Sequence, residues 1–374
     1  MNERVALLTT EHLDRTGIGP GPLGRQRYAF ALTRLLQDLG YEPEWWQAGG
    51  PWQRELLPGV ALHAIPQEEL PYQTMPILNQ IFFEQAVDCD FAIYFELHLA
   101  YPTVLRRSLA VCHGVYWDQP GMDRHRPAES GRAEWQRRLE LAVGGVQRVV
   151  AADTASLDWL RAAWPTLAGK CLYLPNFVDT DEFQPLGGDA PTRPFRILFP
   201  REPISVRGIN AAGQAALALT AAHKDLEVHF CGRTRDEETE LRLARWAGEH
   251  PRLFFYRVPA ERMPELYRQA ALAWFPSTSC QGTSFACLEA MASGCPVIAT
   301  AVGGLSDLVQ HEHSGLLIEP TVAALVEATE RLYRDQALAA RLARNARAVA
   351  ESFALPKWRL AWTQVLRETF PQPA

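Results

Sequence analysis

Short apolar runs alternate with amphipathic stretches along almost the whole chain, the pattern left by strands joined through crossover helices in parallel sheets. In the first half the strand-like runs fall at residues 5–9, 43–46, 60–65, 91–95, 109–112, 149–152 and 171–174. In the second half they fall at 196–199, 226–231, 253–258, 272–275, 297–300 and 316–318. Helical periodicity is clearest at 25–39, at 285–292 and at the end of the chain, 356–370, where Trp358, Trp362, Leu366 and Phe370 line one face. Each half thus predicts its own doubly wound α/β sheet. Between them, residues 176–194 carry three prolines, a glycine pair and several acids with little apolar periodicity, and read as a linker.

Length agrees with that division, because a chain of 374 residues exceeds the size at which single cores stop growing. The net charge of −6 gives no basic footprint, so nucleic acid is not expected as a partner. Seven cysteines with no CxxC pair point to a reduced chain, and their spacing does not suit a structural zinc. No apolar run approaches ~20 residues and residues 1–10 lack the features of a signal peptide, so a cytoplasmic protein is expected. The eleven tryptophans are scattered, as packing residues are.

The densest chemistry lies at Gln281–Thr300, QGTSFACLEAMASGCPVIAT. A loop rich in Ser, Thr and Gly follows the run 272–275, and Thr283 or Ser284 is the natural N-cap of a helix over 285–292. Gly294 supplies its C-terminal stop, and Pro296 opens the next strand. Free N–H groups and the positive dipole end make such a helix start suited to a diphosphate. Glu289 lies further along, so at ~1.5 Å per residue its carboxylate begins roughly 7 to 8 Å from the anion, about where a ribose would offer two hydroxyls. The bland alternative is an acid paired inside a small-residue core.

A second glycine motif, Gly19-Pro20-Gly21-Pro22-Leu23-Gly24, matches GxGxxG on paper. Its distance from the first strand and its two prolines, which lack N–H groups, argue against a dinucleotide.

These segments together resemble the retaining glycosyltransferases of family 4, glycosyltransferase group 1, whose GT-B architecture sets two Rossmann-like doubly wound domains across a cleft. Gln281–Thr300 with Gly303 and Gly304 resembles that family's EGxxxxxxE and AMAxGxPVIA signature, with the second acid at Glu289 and Gln281 in place of the first. Tyr173-Leu174-Pro175-Asn176-Phe177-Val178-Asp179 resembles its PNGVD motif, and Val111-Cys112-His113-Gly114 its HG motif. The stretch from Arg201 to Gly208 resembles the one that supplies a basic pair to the donor phosphates; here the usual Arg position falls on Glu202 and the usual Lys on Arg207.

The resemblance implies an acceptor-side domain over 1–180, a donor domain over 190–355, and a last helix, 356–374, crossing back to the first domain. It implies a nucleotide-sugar donor held by Arg201, Arg207, Gln281, Gly282, Thr283, Ser284, Phe285 and Glu289, with His113, Arg207 and Gln281 closest to the chemistry. Gly21 and Gly24 would approach phosphates or acceptor, and Asp118 is a further acceptor-side candidate. Base recognition would fall to backbone near 231–233 and 258–263. No second carboxylate stands where a double displacement would need one, so the expected reaction is front-face transfer to a glycan or glycolipid hydroxyl. It retains configuration and has no cofactor or obligatory metal. The enzyme is expected in the cytoplasm, with peripheral contact at the inner membrane face. Two further readings fit the same residues: a catalytically silent sugar-nucleotide-binding protein, suggested by Glu202 and Gln281, and a GT-B epimerase or phosphorylase.

Overall fold

A computed structural model describes residues 2–14, 16–17, 23–67, 75–115, 129–185, 194–232 and 237–371. The first unit comprises β1 (Arg4–Leu8), α1 (Leu23–Asp38), β2 (Glu42–Gly49), β3 (Gln53–Leu57), β4 (Val60–Pro66), α2 (Met75–Gln85), β5 (Phe91–Tyr94), β6 (Ser108–Cys112), α3 (Glu129–Gly145), β7 (Arg148–Ala151), α4 (Thr154–Ala163) and β8 (Cys171–Tyr173). Its strands run in the order β3-β4-β2-β1-β5-β6-β7-β8, parallel throughout except for the pair β3 and β4. All seven runs predicted for this half are strands. The sequence pattern missed β3, a five-residue edge strand with three exposed positions.

The second unit holds β9 (Phe195–Phe199), α5 (Ile209–Ala222), β10 (Leu226–Cys231), α6 (Glu237–Glu249), β11 (Leu253–Tyr256), α7 (Met263–Gln269), β12 (Leu272–Phe275), α8 (Phe285–Ala292), β13 (Val297–Thr300), α9 (Leu305–Leu308), β14 (Leu316–Ile318), α10 (Val322–Arg334) and α11 (Gln336–Ala350). Its six strands, in the order β11-β10-β9-β12-β13-β14, are all parallel. Both faces are covered, so the strands alternate between two cores rather than between core and water. Ile197, Phe199 and Trp274 enter one core with α5, α10 and α11, whereas Leu198, Ala273 and Phe275 enter the other with α7 and α8. Trp274 is fully buried, and its indole N–H donates to Thr329 Oγ1 at 3.0 Å.

The chain passes into the second unit at Pro175, at the edge of the expected linker. Residues 176–183 do not float. Val178 N donates to Phe353 O and Leu355 N donates back to Val178 O, both at 2.9 Å, while Phe183 is buried with Tyr267 in the core around α7 and α8. These partners lie most of a domain away in sequence, so the segment leaves no local apolar period.

The last helix, α12 (Leu355–Thr369), divides between the units. Trp358 packs tilted against Phe177, with ring centroids 4.6 Å apart, in the second unit. From Arg359 onward the chain belongs to the first unit. There Trp362, fully buried, donates its indole N–H to Tyr28 OH at 2.9 Å, Phe370 stacks on Phe91 at 4.2 Å, and Arg359 pairs with Asp38 at 2.6 Å.

Removing a buried Trp of this kind costs about 3–5 kcal/mol. Trp362→Ala is expected to accelerate amide hydrogen exchange in β1 and β5 while leaving β9 and β12 protected, as followed by exchange mass spectrometry.

Candidate active site

Open parallel sheets bind ligands beyond the carboxyl ends of their strands, where the strand order reverses. In the second unit that reversal falls between β9 and β12. The two loops that leave these strands are clipped together: Thr278 N donates to Val206 O at 3.0 Å. Gly208 makes the approach feasible. Its φ is +82°, and a Cβ there would lie 1.9 Å from the Pro276 carbonyl oxygen. On the far side, a Cβ on Gly304 would lie 2.4 Å from Thr283 N, so the loop after β13 also closes onto the one after β12.

Inside this junction the Arg201 guanidinium is buried at 9% exposure, donating to Ser277 Oγ at 2.6 Å and to Gln281 Oε1 at 2.7 Å. Arg207 reaches the same carbonyl oxygen, Nε to Oε1, at 3.3 Å, and donates through NH1 to Glu202 Oε2 at 3.1 Å. No carboxylate hydrogen-bonds to Arg201 among the described residues. Burial, and then the neighbouring Arg207 charge, pull the Arg201 guanidinium from its usual range down to about 9. It stays charged at neutral pH, yet desolvated and repelled. A buried cation without a paired anion is costly, and an incoming anion at this position relieves that cost.

Helix α8 begins beside these groups in sequence. Ser284 is its N-cap, the Oγ accepting from Cys287 N at 3.3 Å. The first N–H groups, at Phe285 and Ala286, then have no acceptor within the helix. Thr283 is fixed from outside: its Oγ1 accepts from Asn176 N at 2.7 Å, and its carbonyl accepts from Asn176 Nδ2. Glu289, one turn into α8, is only 4% exposed and accepts from Tyr267 OH at 3.2 Å through Oε2.

The second unit therefore assembles Arg201, Arg207, Gln281, Gly282, Thr283, Ser284 and Phe285 at one strand-end junction, with Glu289 behind it in α8. His113 and Gly24 belong to the first unit. His113 follows β6 and packs edge-on against Tyr28 and beside Phe95, at ring separations of 5.2 and 4.8 Å. Gly24 lies in the first turn of α1. Gly21, Asp118 and Arg233 fall outside the described residues. Sequence reasoning missed Ser277, Tyr267 and the clamp role of Asn176. It also missed Glu96, a buried carboxylate at the strand reversal of the first sheet that accepts from Thr9 Oγ1 and from the N–H and hydroxyl of Thr10. All seven cysteines are free and buried. Among the described residues no three His, Cys, Asp or Glu side chains gather to hold a metal ion, and no helix is long and apolar enough to cross a membrane.

Residues 186–349, within the second unit, match the family model of glycosyl transferases group 1. The chain is 26% identical to the D-inositol 3-phosphate glycosyltransferase of Paenarthrobacter aurescens (strain TC1), across 92% of this chain and 93% of that protein. It is 27% identical to the protein of the same name from Pseudarthrobacter chlorophenolicus, across 89% and 88%. In fold it is similar to sucrose-phosphate synthase from Thermosynechococcus elongatus, with a TM-score of 0.79 at 20% identity over 99% of both chains. Anabaena HepE, solved with UDP-glucose, superposes with a TM-score of 0.74 at 16% identity over 98% of this chain and 100% of that one. The two units are the parallel-sheet α/β domains of GT-B proteins, and the chain is a glycosyltransferase.

Gly208→Ala puts a side chain into left-handed backbone, at a cost of about 1–2 kcal/mol before any clash with Pro276. The variant is expected to lose the junction between the two loops, read as a lowered Tm together with loss of nucleoside diphosphate binding in a thermal-shift titration.

Proposed function

We propose that the protein is a retaining glycosyltransferase that moves a sugar from a nucleoside diphosphate sugar to a hydroxyl of a glycan or glycolipid. The observation that carries the reading is the pair of guanidiniums, Arg201 and Arg207, converging on one neutral acceptor at the strand reversal. The start of α8 supplies further donors. The relatives named as D-inositol 3-phosphate glycosyltransferases and the HepE neighbour solved with UDP-glucose support a sugar nucleotide as donor.

In this reading the diphosphate lies against Arg201, Arg207 and the first N–H groups of α8, and the ribose hydroxyls donate to Glu289. As the bond between the anomeric carbon and the diphosphate oxygen breaks, negative charge gathers on the leaving group, and fixed cations stabilise it without reorganisation. The acceptor oxygen attacks from the same face and its proton passes to the departing diphosphate, so configuration is retained. The cations are part of the protein, and the reaction has no obligatory metal. His113 belongs to the acceptor side. The enzyme acts in the cytoplasm, at the inner membrane face where the acceptor is a lipid.

A thermal-shift screen with UDP, GDP, ADP and dTDP sugars identifies the donor, since a ligand at 100 times its Kd stabilises by about 2.7 kcal/mol. With that donor, Arg207→Ala is expected to lower kcat/KM about a hundredfold. Tight donor binding with no turnover on any acceptor points instead to the catalytically silent reading, which the neutral Gln281 favours, and turnover without an acceptor points to an epimerase.

The position of Glu289 gives a separate test. Glu289→Gln keeps the size of the side chain and its contact with Tyr267 but removes the charge. The expected result is about a tenfold loss of affinity for nucleoside diphosphates and none for inorganic pyrophosphate, measured by calorimetry.

A further inference from the structure

We propose that Glu202 is the carboxylate that meets the transferred sugar, in a position where the neutral Gln281 cannot serve; the inference rests on the nucleotide-sugar reading of this site. Glycosyl transfer passes through an oxocarbenium-like centre, and negative charge held near the anomeric carbon stabilises it. Gln281 carries no charge, and its one acceptor atom, Oε1, is taken by Arg201 at 2.7 Å and Arg207 at 3.3 Å. The residue faces a ligand only as an amide donor. Glu289 is 4% exposed, one turn inside α8, and bonded to Tyr267.

Glu202 is different on each count. Its side chain is 33% exposed, and one carboxylate oxygen, Oε2, accepts from Arg207 NH1 at 3.1 Å. The other oxygen makes no hydrogen bond with the described residues. Arg207 thus carries Gln281 on its Nε and Glu202 on its NH1, two nitrogens of one guanidinium. The carboxylate of residue 202 and the amide of residue 281 are thus held by one guanidinium, on loops from β9 and β12 that Gly208 and Thr278 hold in contact. Arg207 orients Glu202, leaving the second carboxylate oxygen available to a sugar hydroxyl. The acid that a sugar subsite needs has come from the neighbouring loop. The set of Arg201, Arg207, Glu202 and Gln281 has a net charge of +1, the same as two cations with an acid at position 281.

Calorimetry on the full chain tests this with UDP against UDP-glucose, GDP against GDP-mannose and ADP against ADP-glucose. Glu202→Gln keeps the contact with Arg207 as an amide and is expected to reduce the affinity of the sugar form relative to its bare diphosphate about tenfold, the scale of one hydrogen bond to a charged group. The bare diphosphate binds as before or more tightly, because Arg207 loses a competing carboxylate. Moving the charge across, in Glu202→Gln with Gln281→Glu, is expected to restore the ratio to within about threefold of wild type. A structural role for Glu202 predicts no such rescue. An unchanged ratio in Glu202→Gln, or a double variant no better than the single one, overturns the proposal while the diphosphate site stands. Failure of wild-type protein to bind any of the three diphosphates overturns the reading of the site and this proposal together.

Discussion

Two guanidinium groups share one amide oxygen. Much of the candidate site follows from holding Arg201 and Arg207 against Gln281, with the Glu202 carboxylate hydrogen-bonded to Arg207. Like charges at this separation repel, and the repulsion is stronger where water is excluded. Two cations held this close favour an anion brought into contact with them. The loops that carry them are held in contact by Thr278 N on Val206 O and by Gly208 against Pro276.

Strand order is what brings the loops together. Arg201 follows β9 and Gln281 follows β12, strands adjacent in space but separated in sequence by two others. The helices that follow them, α5 and α8, pack into different cores of the second unit, so a crevice opens between their starts. Small residues then let backbone replace side chain at the contacts: Gly208 beneath Pro276, Gly304 beside Thr283. The first sheet repeats the arrangement with other chemistry, where Thr9 and Thr10 after β1 hold Glu96 after β5.

Much of this was legible in the sequence. Parallel strands buried on both faces read as short apolar runs, and every run so marked is a strand. β3 escaped because Gln53–Leu57 has no alternation of apolar and polar positions; its only local sign is the Pro58-Gly59 turn before β4. The glycines and Ser284 of the loop before α8 were legible because helix starts and tight turns impose residue types locally. Tertiary partnerships were not. Asn176 clamps a threonine 107 positions away, and Arg201 finds Ser277 across 76, distances at which no spacing rule operates. Glu202 looked like a mismatch in the basic pair. Its meaning depends on which nitrogen of Arg207 it occupies, and only the folded chain shows that.

The first unit is not one continuous segment: its last helix arrives after the whole of the second unit. On the ribosome, Tyr28 and Phe91 wait for Trp362 and Phe370 until nearly all of the described chain has emerged. A nascent chain folding from its N-terminus can close the second core while the first still shows an unfilled apolar seam. Chaperone dependence during synthesis, and sensitivity to late premature stops, should therefore fall on the N-terminal unit.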